Sequence, residues 1–395
     1  MPCHPNFIRY FSSKALLASL AFLSLAALNG FGGRAVADEN ANWLVEAELL
    51  KGWIRGSSAP PLVTTSASTV PRNEAGVLSN PTTSSIFGNG LLDIGHRTGT
   101  RFRLQRSLAS EGDYGSYFAG MYLANASEPA VFGSDGTGLP VLGRPFFNAN
   151  TQTQDAELVA YPNVLVGQVA VNTASELYLG ELGITRAFLR DDEFELDLHA
   201  GYRFLSFRDG LYVREDLRSI DQGGLIPVNT TFVVQDSFAT LNQFHGGSFG
   251  ATLKALAKEW DFGVVTSVSL GGLTRKLRTS GSTDVTIHGL TTDSSAGGLL
   301  ALPTNIGSYQ STKFVAIPEL KLFANRLVTQ RLSLNFGYTF LLVPQTWRAA
   351  EQVDYTVNES QIGGGNLSGL SRPSFRGASS DMWIQALSLG LGYNW

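Results

Sequence analysis

Apolar and polar residues alternate along the last fifteen residues of the chain, DMWIQALSLGLGYNW. Leu387, Leu389, Leu391, Tyr393 and Trp395 share one parity, and mostly small or polar residues occupy the other. Because successive side chains of a strand point to opposite faces, this pattern predicts a strand with one large apolar face. Such a face meets either a soluble core or lipid, and this strand alone does not separate the two.

The same alternation predicts about ten strands along the chain. Most are longer than the roughly 9 to 11 residues that cross a bilayer at a tilt. Their predicted ranges are 43–54, 99–108, 113–123, 174–189, 194–208, 241–257, 260–277, 309–325, 330–344 and 380–395.

Short and long connections alternate between these strands. The short ones are Ala109 to Gly112, Arg190 to Glu193, Lys258 and Glu259, and Leu327 to Gln330, whereas the long ones cover 55–98, 124–173, 209–240, 278–308 and 346–379. Soluble domains rarely carry five loops of this length. The rhythm predicts an all-β fold over 38–395: a single antiparallel transmembrane up-and-down barrel with short periplasmic turns and long extracellular loops.

Charged residues concentrate on one parity of the predicted strands. A base on the lipid face near mid-membrane would cost on the order of 2 to 4 kcal/mol, so this parity is assigned to the lumen. Both signs of charge in a narrow lumen favour a paired network that fills it over a selectivity filter. The predicted lumen residues are Glu46, Glu48, Arg101, Arg103, Glu195, Asp197, His199, Arg203, Glu319 and Lys321.

The N-terminus has the three-part layout of a secretory signal peptide. Arg9 and Lys14 precede the apolar run from Ala15 to Leu28, and the small-residue site Ala35-Val36-Ala37 follows it. This predicts a cleaved signal over 1–37 and Sec-type export to the cell outer membrane. The only cysteine, Cys3, lies inside the signal, so the mature chain is predicted to contain no disulfide and no cysteine-ligated metal.

Composition and motifs give little support for catalysis or cofactor binding. Asp and Glu outnumber Lys and Arg, 33 to 29, so no nucleic-acid partner is predicted. Gly246 to Gly250 spells G-x-S-x-G but falls in a predicted strand, where a hydrolase needs a strand-to-helix elbow. His199 and Asp197 share the lumen parity and leave open an acid/base pair. No catalytic residue, metal site or cofactor is assigned.

Several stretches together resemble one family, the planctomycete-type outer-membrane β-barrel proteins. They include WLVEAELLKGW at 43–53, GYRFLSFRDGLYVRED at 201–216, PELKLFANRLVTQRLSLNFGYTFLL at 318–342 and SLGLGYNW at 388–395. The resemblance spans nearly all of the chain after the signal. It implies a barrel in the outer membrane and brings no catalytic motif with it.

The sequence therefore predicts a non-enzymatic integral outer-membrane barrel with a structural or surface-interaction role through its long loops. A narrow porin or transporter for small solutes is the alternative, and a hydrolase using His199 and Asp197 is a third. Both termini are expected in the periplasm. The expected partners are outer-membrane lipid and the barrel-assembly machinery, which would recognise the C-terminal signal Leu391, Tyr393 and Trp395.

Overall fold

A computed structural model describes residues 43–93, 95–107 and 114–395 of the chain. The predicted signal peptide at 1–37 and the predicted turn from Ala109 to Gly112 lie outside these residues. Within them, no helix is both long enough and apolar enough to cross a membrane.

The described residues form sixteen strands and two short 3-10 segments, Ala350–Gln352 and Glu359–Gly364. The strands are β1 (Trp43–Ile54), β2 (Ser57–Ser66), β3 (Ser84–Leu92), β4 (His96–Ser107), β5 (Tyr114–Gly133), β6 (Val141–Asn148), β7 (Thr153–Ala160), β8 (Leu165–Arg190), β9 (Phe194–Ser219), β10 (Thr231–Ala257), β11 (Trp260–Thr286), β12 (Thr292–Ala296), β13 (Gly307–Leu327), β14 (Leu332–Thr346), β15 (Thr356–Val357) and β16 (Ser380–Asn394).

Ten of these strands close into an antiparallel ring. Its order is β1, β4, β5, β8, β9, β10, β11, β13, β14 and β16, and β16 pairs again with β1. Strand β12 adds to β11 outside the ring. The predicted fold, an antiparallel barrel of about ten strands, is confirmed.

The closing pair joins the two ends of the described chain. The β1–β16 register runs from Leu44 opposite Asn394 to Ile54 opposite Ile384. Trp43 and Trp395 exchange two backbone hydrogen bonds of 2.9 and 3.0 Å, and their rings stack with centroids 6.4 Å apart. The barrel end that holds these two tryptophans is called the lower end, and the opposite end the upper end.

The outer face of the barrel is apolar, as the alternation predicts. Leu49, Leu389 and Phe249 on this face are each at least half exposed, although each is a large apolar side chain. A soluble protein rarely exposes a continuous band of this kind. The band is the surface expected to contact lipid.

Strands β8 to β11 are much longer than predicted. Each has 26 or 27 residues, so they extend past the upper edge of the apolar band. Much of the predicted loops 124–173, 209–240 and 278–308 is therefore strand, which corrects their assignment as long loops. The extension continues the ladders between neighbouring strands and leaves only residues 220–230 to connect β9 with β10 at the upper end.

The remaining long connections build a second sheet inside the upper part of the barrel. Strands β2, β3, β6, β7 and β15 form this five-stranded sheet, here named the cap sheet. Its apolar residues pack on the inner face of the extended strands, with Leu62 and Phe146 against Val171, Val213 and neighbouring core residues. This core explains how segments rich in Ser, Thr, Gly and Pro become ordered, since burial of apolar surface offsets their conformational entropy.

The barrel wall opens at its upper end between β13 and β14. The ladder between them stops at Glu319 opposite Leu341, and Pro318 is the next residue of β13 towards the upper end. A proline has no N–H to donate, so it is confined to unpaired edges of a sheet. Pro344 lies on the facing strand at an irregularity of its ladder with β16. The two prolines thus mark both sides of the seam.

Deleting Tyr393 to Trp395 is expected to prevent barrel assembly. The deletion removes the lower end of both ladders of β16 and the hydrogen bonds from Trp43, and an unpaired edge in lipid is strongly unfavourable. Yield in the outer-membrane fraction and heat-modifiable migration on a gel would measure the loss. A deletion of 223–225, in the exposed β9–β10 loop, serves as the matched control. Normal assembly of the C-terminal truncation would contradict the prediction.

Candidate functional site

A cavity of about 360 Å³ occupies the lower part of the lumen. Gly392 and Asn394 of β16 and the turn residues Gln330 and Arg331 line it, which places it near the lower end. Nine of the ten predicted lumen residues line this cavity: Glu46, Glu48, Arg101, Arg103, Asp197, His199, Arg203, Glu319 and Lys321. The tenth, Glu195, accepts a hydrogen bond of 3.1 Å from Lys254, which lines the cavity.

Glu48 is the centre of one ion-pair group. Its side chain is almost fully buried, and Lys321 Nζ donates to it at 2.8 Å while Arg101 Nη1 donates at 3.2 Å. Arg101 also donates to Thr339 Oγ1 at 2.9 Å. Strands β1, β4, β13 and β14 are therefore tied together across the lumen by one carboxylate and its two cations.

Arg203 is the centre of a second group. Its Nε donates to Glu181 at 2.7 Å and its Nη2 contacts Glu319 at 2.6 Å. The Tyr117 hydroxyl donates a hydrogen bond to Glu181. Glu181 and Tyr117 were not among the predicted site residues, although Glu181 lies directly opposite Arg203 in the β8–β9 ladder. The β8–β9 register carries that signal, because it places Glu181 beside the predicted lumen residue Arg203.

Glu46 and Arg103 lie opposite each other in the β1–β4 ladder and yet form no ion pair within 4 Å. Arg103 instead donates twice to Gln105 Oε1, at 3.1 and 3.0 Å, and its guanidinium lies 4.6 Å from the Tyr117 ring centroid. Glu46 accepts one long hydrogen bond of 3.4 Å from Asn335. A cation and an anion therefore face the cavity without neutralising each other.

The structure does not bring His199 and Asp197 together as an acid/base pair. Among the described side chains no hydrogen bond joins them, and the His199 ring meets Tyr117 edge-on with centroids 6.3 Å apart. Asp197 lies 3.9 Å from Arg190. The G-x-S-x-G sequence from Gly246 to Gly250 runs straight through β10 and forms no elbow. The described residues contain no group of three or more potential metal ligands.

An apolar layer crosses the lumen directly above the charged cavity. Every barrel strand except β4 contributes at least one described side chain to it, and each side chain is at most 6% exposed. The layer consists of Leu50, Ile54, Met121, Leu123, Leu177, Leu205, Phe207, Phe244, Leu273, Val315, Ile317, Leu341, Val343, Met382 and Ile384. The alternation of apolar and polar residues in the sequence does not predict this layer. The charged groups thus line a cavity, and apolar packing closes the lumen above them.

A buried polar belt lies above the apolar layer and fixes the β14–β16 connection. Arg348 Nε donates to Asp209 at 2.8 Å, and its guanidinium lies 5.2 Å from the Phe207 ring centroid. Asp93 accepts from Arg97 and, at 2.5 Å, from the Ser175 hydroxyl. These contacts connect the inner wall of the barrel to the connection that carries β15 of the cap sheet.

Arg144 joins the cap sheet to the barrel wall. It lies on β6, is fully buried, and contacts Glu215 of β9 at 2.5 Å and Asp236 of β10 at 2.7 Å. Glu157 lies opposite Arg144 in the β6–β7 ladder, and its Oε2 is buried with no hydrogen-bond partner. Burial, together with the nearby Glu215 carboxylate, raises the pKa of Glu157 well above its ordinary value, and burial also raises the pKa of Glu215.

Replacing Arg203 with Met should destabilise the barrel strongly. The change leaves Glu181 and Glu319 buried without their cation, which costs about 3 to 5 kcal/mol. Urea unfolding in lipid vesicles would measure the difference in free energy. Arg208→Met is the matched control, since Arg208 is exposed on the same strand and its pair with Glu176 contributes at most about 1 kcal/mol. Equal effects of the two substitutions would contradict the assigned role.

Replacing Glu157 with Gln should stabilise the cap sheet at high pH. A raised folded-state pKa means that the folded state holds the proton more tightly, so stability is greatest below the ordinary pKa of 4.5 and falls as pH rises through the folded-state value. The Gln variant should therefore be more stable than the wild type at pH 8 and close to it at pH 4, because it has no carboxyl group to titrate.

Protease resistance of the cap sheet between pH 4 and pH 8 would report this difference. Glu74→Gln, at an exposed position of the β2–β3 connection, serves as the control and should follow the wild type. A Glu157→Gln profile that also follows the wild type would show that Glu157 does not set the pH dependence.

Comparison with solved structures finds other outer-membrane barrels. The outer membrane protease OmpT from Escherichia coli has 10% identity and a TM-score of 0.42, covering 91% of this chain and 98% of that one. The transport unit of the autotransporter AIDA-I from Escherichia coli has 10% identity and a TM-score of 0.25, covering 95% and 97%. A Pseudomonas aeruginosa FadL homologue has 7% identity and a TM-score of 0.22, covering 90% of each chain. With TM-scores below 0.5, no function is transferred from these proteins.

Sequence comparison identifies the family directly. No curated protein sequence matches the chain. A family model described as "Putative beta barrel porin-7 (BBP7)" matches residues 43–395, which covers all ten strands of the ring. This match confirms the resemblance of the sequence to a family of outer-membrane β-barrel proteins. The chain belongs to the beta barrel porin-7 family and is a porin-like β-barrel of the outer membrane.

Proposed function

We propose that this protein is a closed, non-enzymatic outer-membrane barrel whose role is structural and whose upper end is its interaction surface. The observation that carries the proposal is the apolar layer, which fills the lumen with side chains that are at most 6% exposed. The cap sheet and its core lie above the layer and add a second obstruction. A solute entering from the lower cavity therefore meets two packed regions before it reaches the upper end.

The proposed topology follows from the barrel and the sequence. Residues 1–37 act as a signal for Sec-type export, and the lower end with Trp43 and Trp395 lies in the periplasm. The long upper extensions and the cap sheet then lie outside the cell. Outer-membrane lipid surrounds the apolar band, and the barrel-assembly machinery binds β16 through Leu391, Tyr393 and Trp395, which are outward-facing and exposed.

The physical argument concerns the transfer of charge through the apolar layer. An ion in the lower cavity is stabilised by carboxylates and guanidinium groups, whereas the layer offers it no polar partner. Moving an unpaired charge into such a region costs many kcal/mol, and apolar constrictions also exclude water. In this conformation the layer is therefore a barrier to ions and not only to large solutes.

The purified barrel should give no conductance steps in planar bilayers under a range of voltages. A variant with Phe207→Ala and Phe244→Ala, two fully buried side chains of the layer, should lower the barrier and allow brief current events. Phe249→Ala is the matched control, since Phe249 lies on the outer face of β10, the strand that carries Phe244. Discrete steps from the wild-type protein would contradict the closed barrel.

Labelling of single cysteines tests the same closure in intact cells. Cys3 is the only cysteine, so Cys3→Ser provides the background. Gln222→Cys in the exposed β9–β10 loop should react with an impermeant maleimide added outside. Ser333→Cys in the lower cavity should react only after the outer membrane is opened. Similar rates for both positions in intact cells would indicate an open lumen.

A narrow porin is the second candidate, and the facing but unpaired Glu46 and Arg103 favour it. Water-accessible charges in a cavity of about 360 Å³ are features that a small polar solute could use. This function requires the apolar layer and the cap sheet to move. In that case, wild-type conductance should change in ion selectivity when Arg103 is replaced with Ala.

A further inference from the structure

A group of basic side chains lies on the outer face of the barrel, just above the apolar band. Arg208 on β9, Lys276 on β11 and Arg278 on β11 are exposed. Leu241 of β10 pairs with both Arg208 and Lys276, and Ala239 pairs with Arg278. The three cations therefore occupy one continuous surface across three neighbouring strands, here named the rim patch.

The positive charge of the rim patch is largely uncompensated. Arg208 donates to Glu176 at 3.0 Å, and that pair is the one ion pair that the described residues supply to the patch. Lys276 and Arg278 form none within 4 Å in the described part of the chain. Their like charges lie two residues apart on the same face of one strand. Such an arrangement favours binding of an anion, which would relieve the repulsion.

An apolar depression lies directly below the rim patch, on the surface expected to contact lipid. Gly272 of β11 pairs with His245 on one side and Phe314 on the other. A Cβ atom placed on Gly272 would meet only the Thr312 methyl group, at 3.8 Å, so the space outside it is open.

Aromatic rings form the two walls of this depression. His245 Nδ1 and the Tyr202 hydroxyl form a hydrogen bond of 2.5 Å. The ring centroids of His245 and Phe204 lie 5.0 Å apart. Phe314 is 75% exposed on the other wall. A ring exposed to this extent at the edge of an apolar band is positioned to pack against an acyl chain.

We propose that the rim patch binds the anionic, phosphorylated headgroup of an outer-membrane lipid, and that an acyl chain of the same lipid lies in the depression at Gly272. The basic and apolar parts are contiguous along β11 and in the order that a lipid presents them. Charge complementarity favours the headgroup, and the open space between two aromatic walls favours the chain. A soluble anion would use the upper part alone, so the occupant that fits both parts is a lipid.

Native mass spectrometry of the folded, full-length barrel tests the proposal. Dioleoyl phosphatidylglycerol should remain bound, whereas dioleoyl phosphatidylcholine should not. The double substitution Lys276→Gln and Arg278→Gln should weaken retention of the anionic lipid by about tenfold or more, since each basic residue near a charged lipid surface contributes about 1 kcal/mol. Heat-modifiable migration would establish that each variant is folded.

The matched control removes two exposed charges from the lower end, Lys258→Gln and Arg326→Gln. This control should retain the anionic lipid as the wild type does. An equal loss in the control and in the rim variant would overturn the proposal, because retention would then follow net charge. No preference of the wild type for the anionic lipid would overturn it as well.

Two further measurements separate a lipid from a soluble anion. Gly272→Leu keeps every charge of the rim patch and fills the depression, so it should weaken retention of the lipid while leaving binding of glycerol phosphate unchanged. Inorganic phosphate should displace the lipid only at concentrations far above that of the lipid. Displacement by phosphate at equal concentration, or full retention by Gly272→Leu, would show that the acyl chain has no site.

Discussion

The hydrogen bonding of the backbone in an apolar surrounding is the constraint on which the rest of this structure depends. Lipid offers no partner for an N–H or C=O group, so a sheet can cross it only as a closed ring. The pairing of β16 with β1 closes that ring, and closure constrains the total stagger of the ladders around the barrel. Once the register is set, alternation assigns each side chain to lipid or to lumen.

Closure also explains where departures from a regular barrel can occur. The ladder of β13 and β14 ends where Pro318 would have to donate, near the upper edge of the apolar band. Above that edge, water and the β14–β16 connection can satisfy backbone groups, and Tyr309 stacks on Phe375 of that connection with centroids 4.1 Å apart. An unpaired seam lower in the wall would leave polar groups facing lipid. The position of the prolines is therefore consistent with the constraint.

Alternation predicts the wall of this barrel well, because charges reveal which parity is inside. Glu46 and Glu48, or Arg101 and Arg103, cannot face lipid at mid-membrane, so their facing follows from the sequence alone. The same rule finds Glu181 only when the β8–β9 register is known, since a single acid among apolar residues gives no pattern. The fold of the ring was thus predictable, and part of the site required the pairing of strands.

The apolar layer and the cap sheet were not predictable for a different reason. Leu50, Leu205 and Phe207 continue the lumen parity of the charges, but an apolar side chain fits either face, so alternation gives no contrast there. The cap sheet forms from segments with no clean alternation, and β2 even contains Pro60 and Pro61. Its order comes from packing against the extended strands, which are distant in sequence. Tertiary burial of this kind leaves little local signal.

Ion pairs occupy the lower half of the lumen, whereas apolar packing fills the layer above it. The order of these two regions along the barrel determines how far water can enter. Ion pairs such as Arg203 with Glu181 and Glu319 lose much of their attraction to desolvation, so their net contribution to stability is small, although removing one partner is costly. Apolar packing in the layer gains from burial without this loss. A barrel with charges throughout would be hydrated from end to end, whereas one apolar layer interrupts the water. The side chains of a single level therefore decide whether this porin-like barrel is closed.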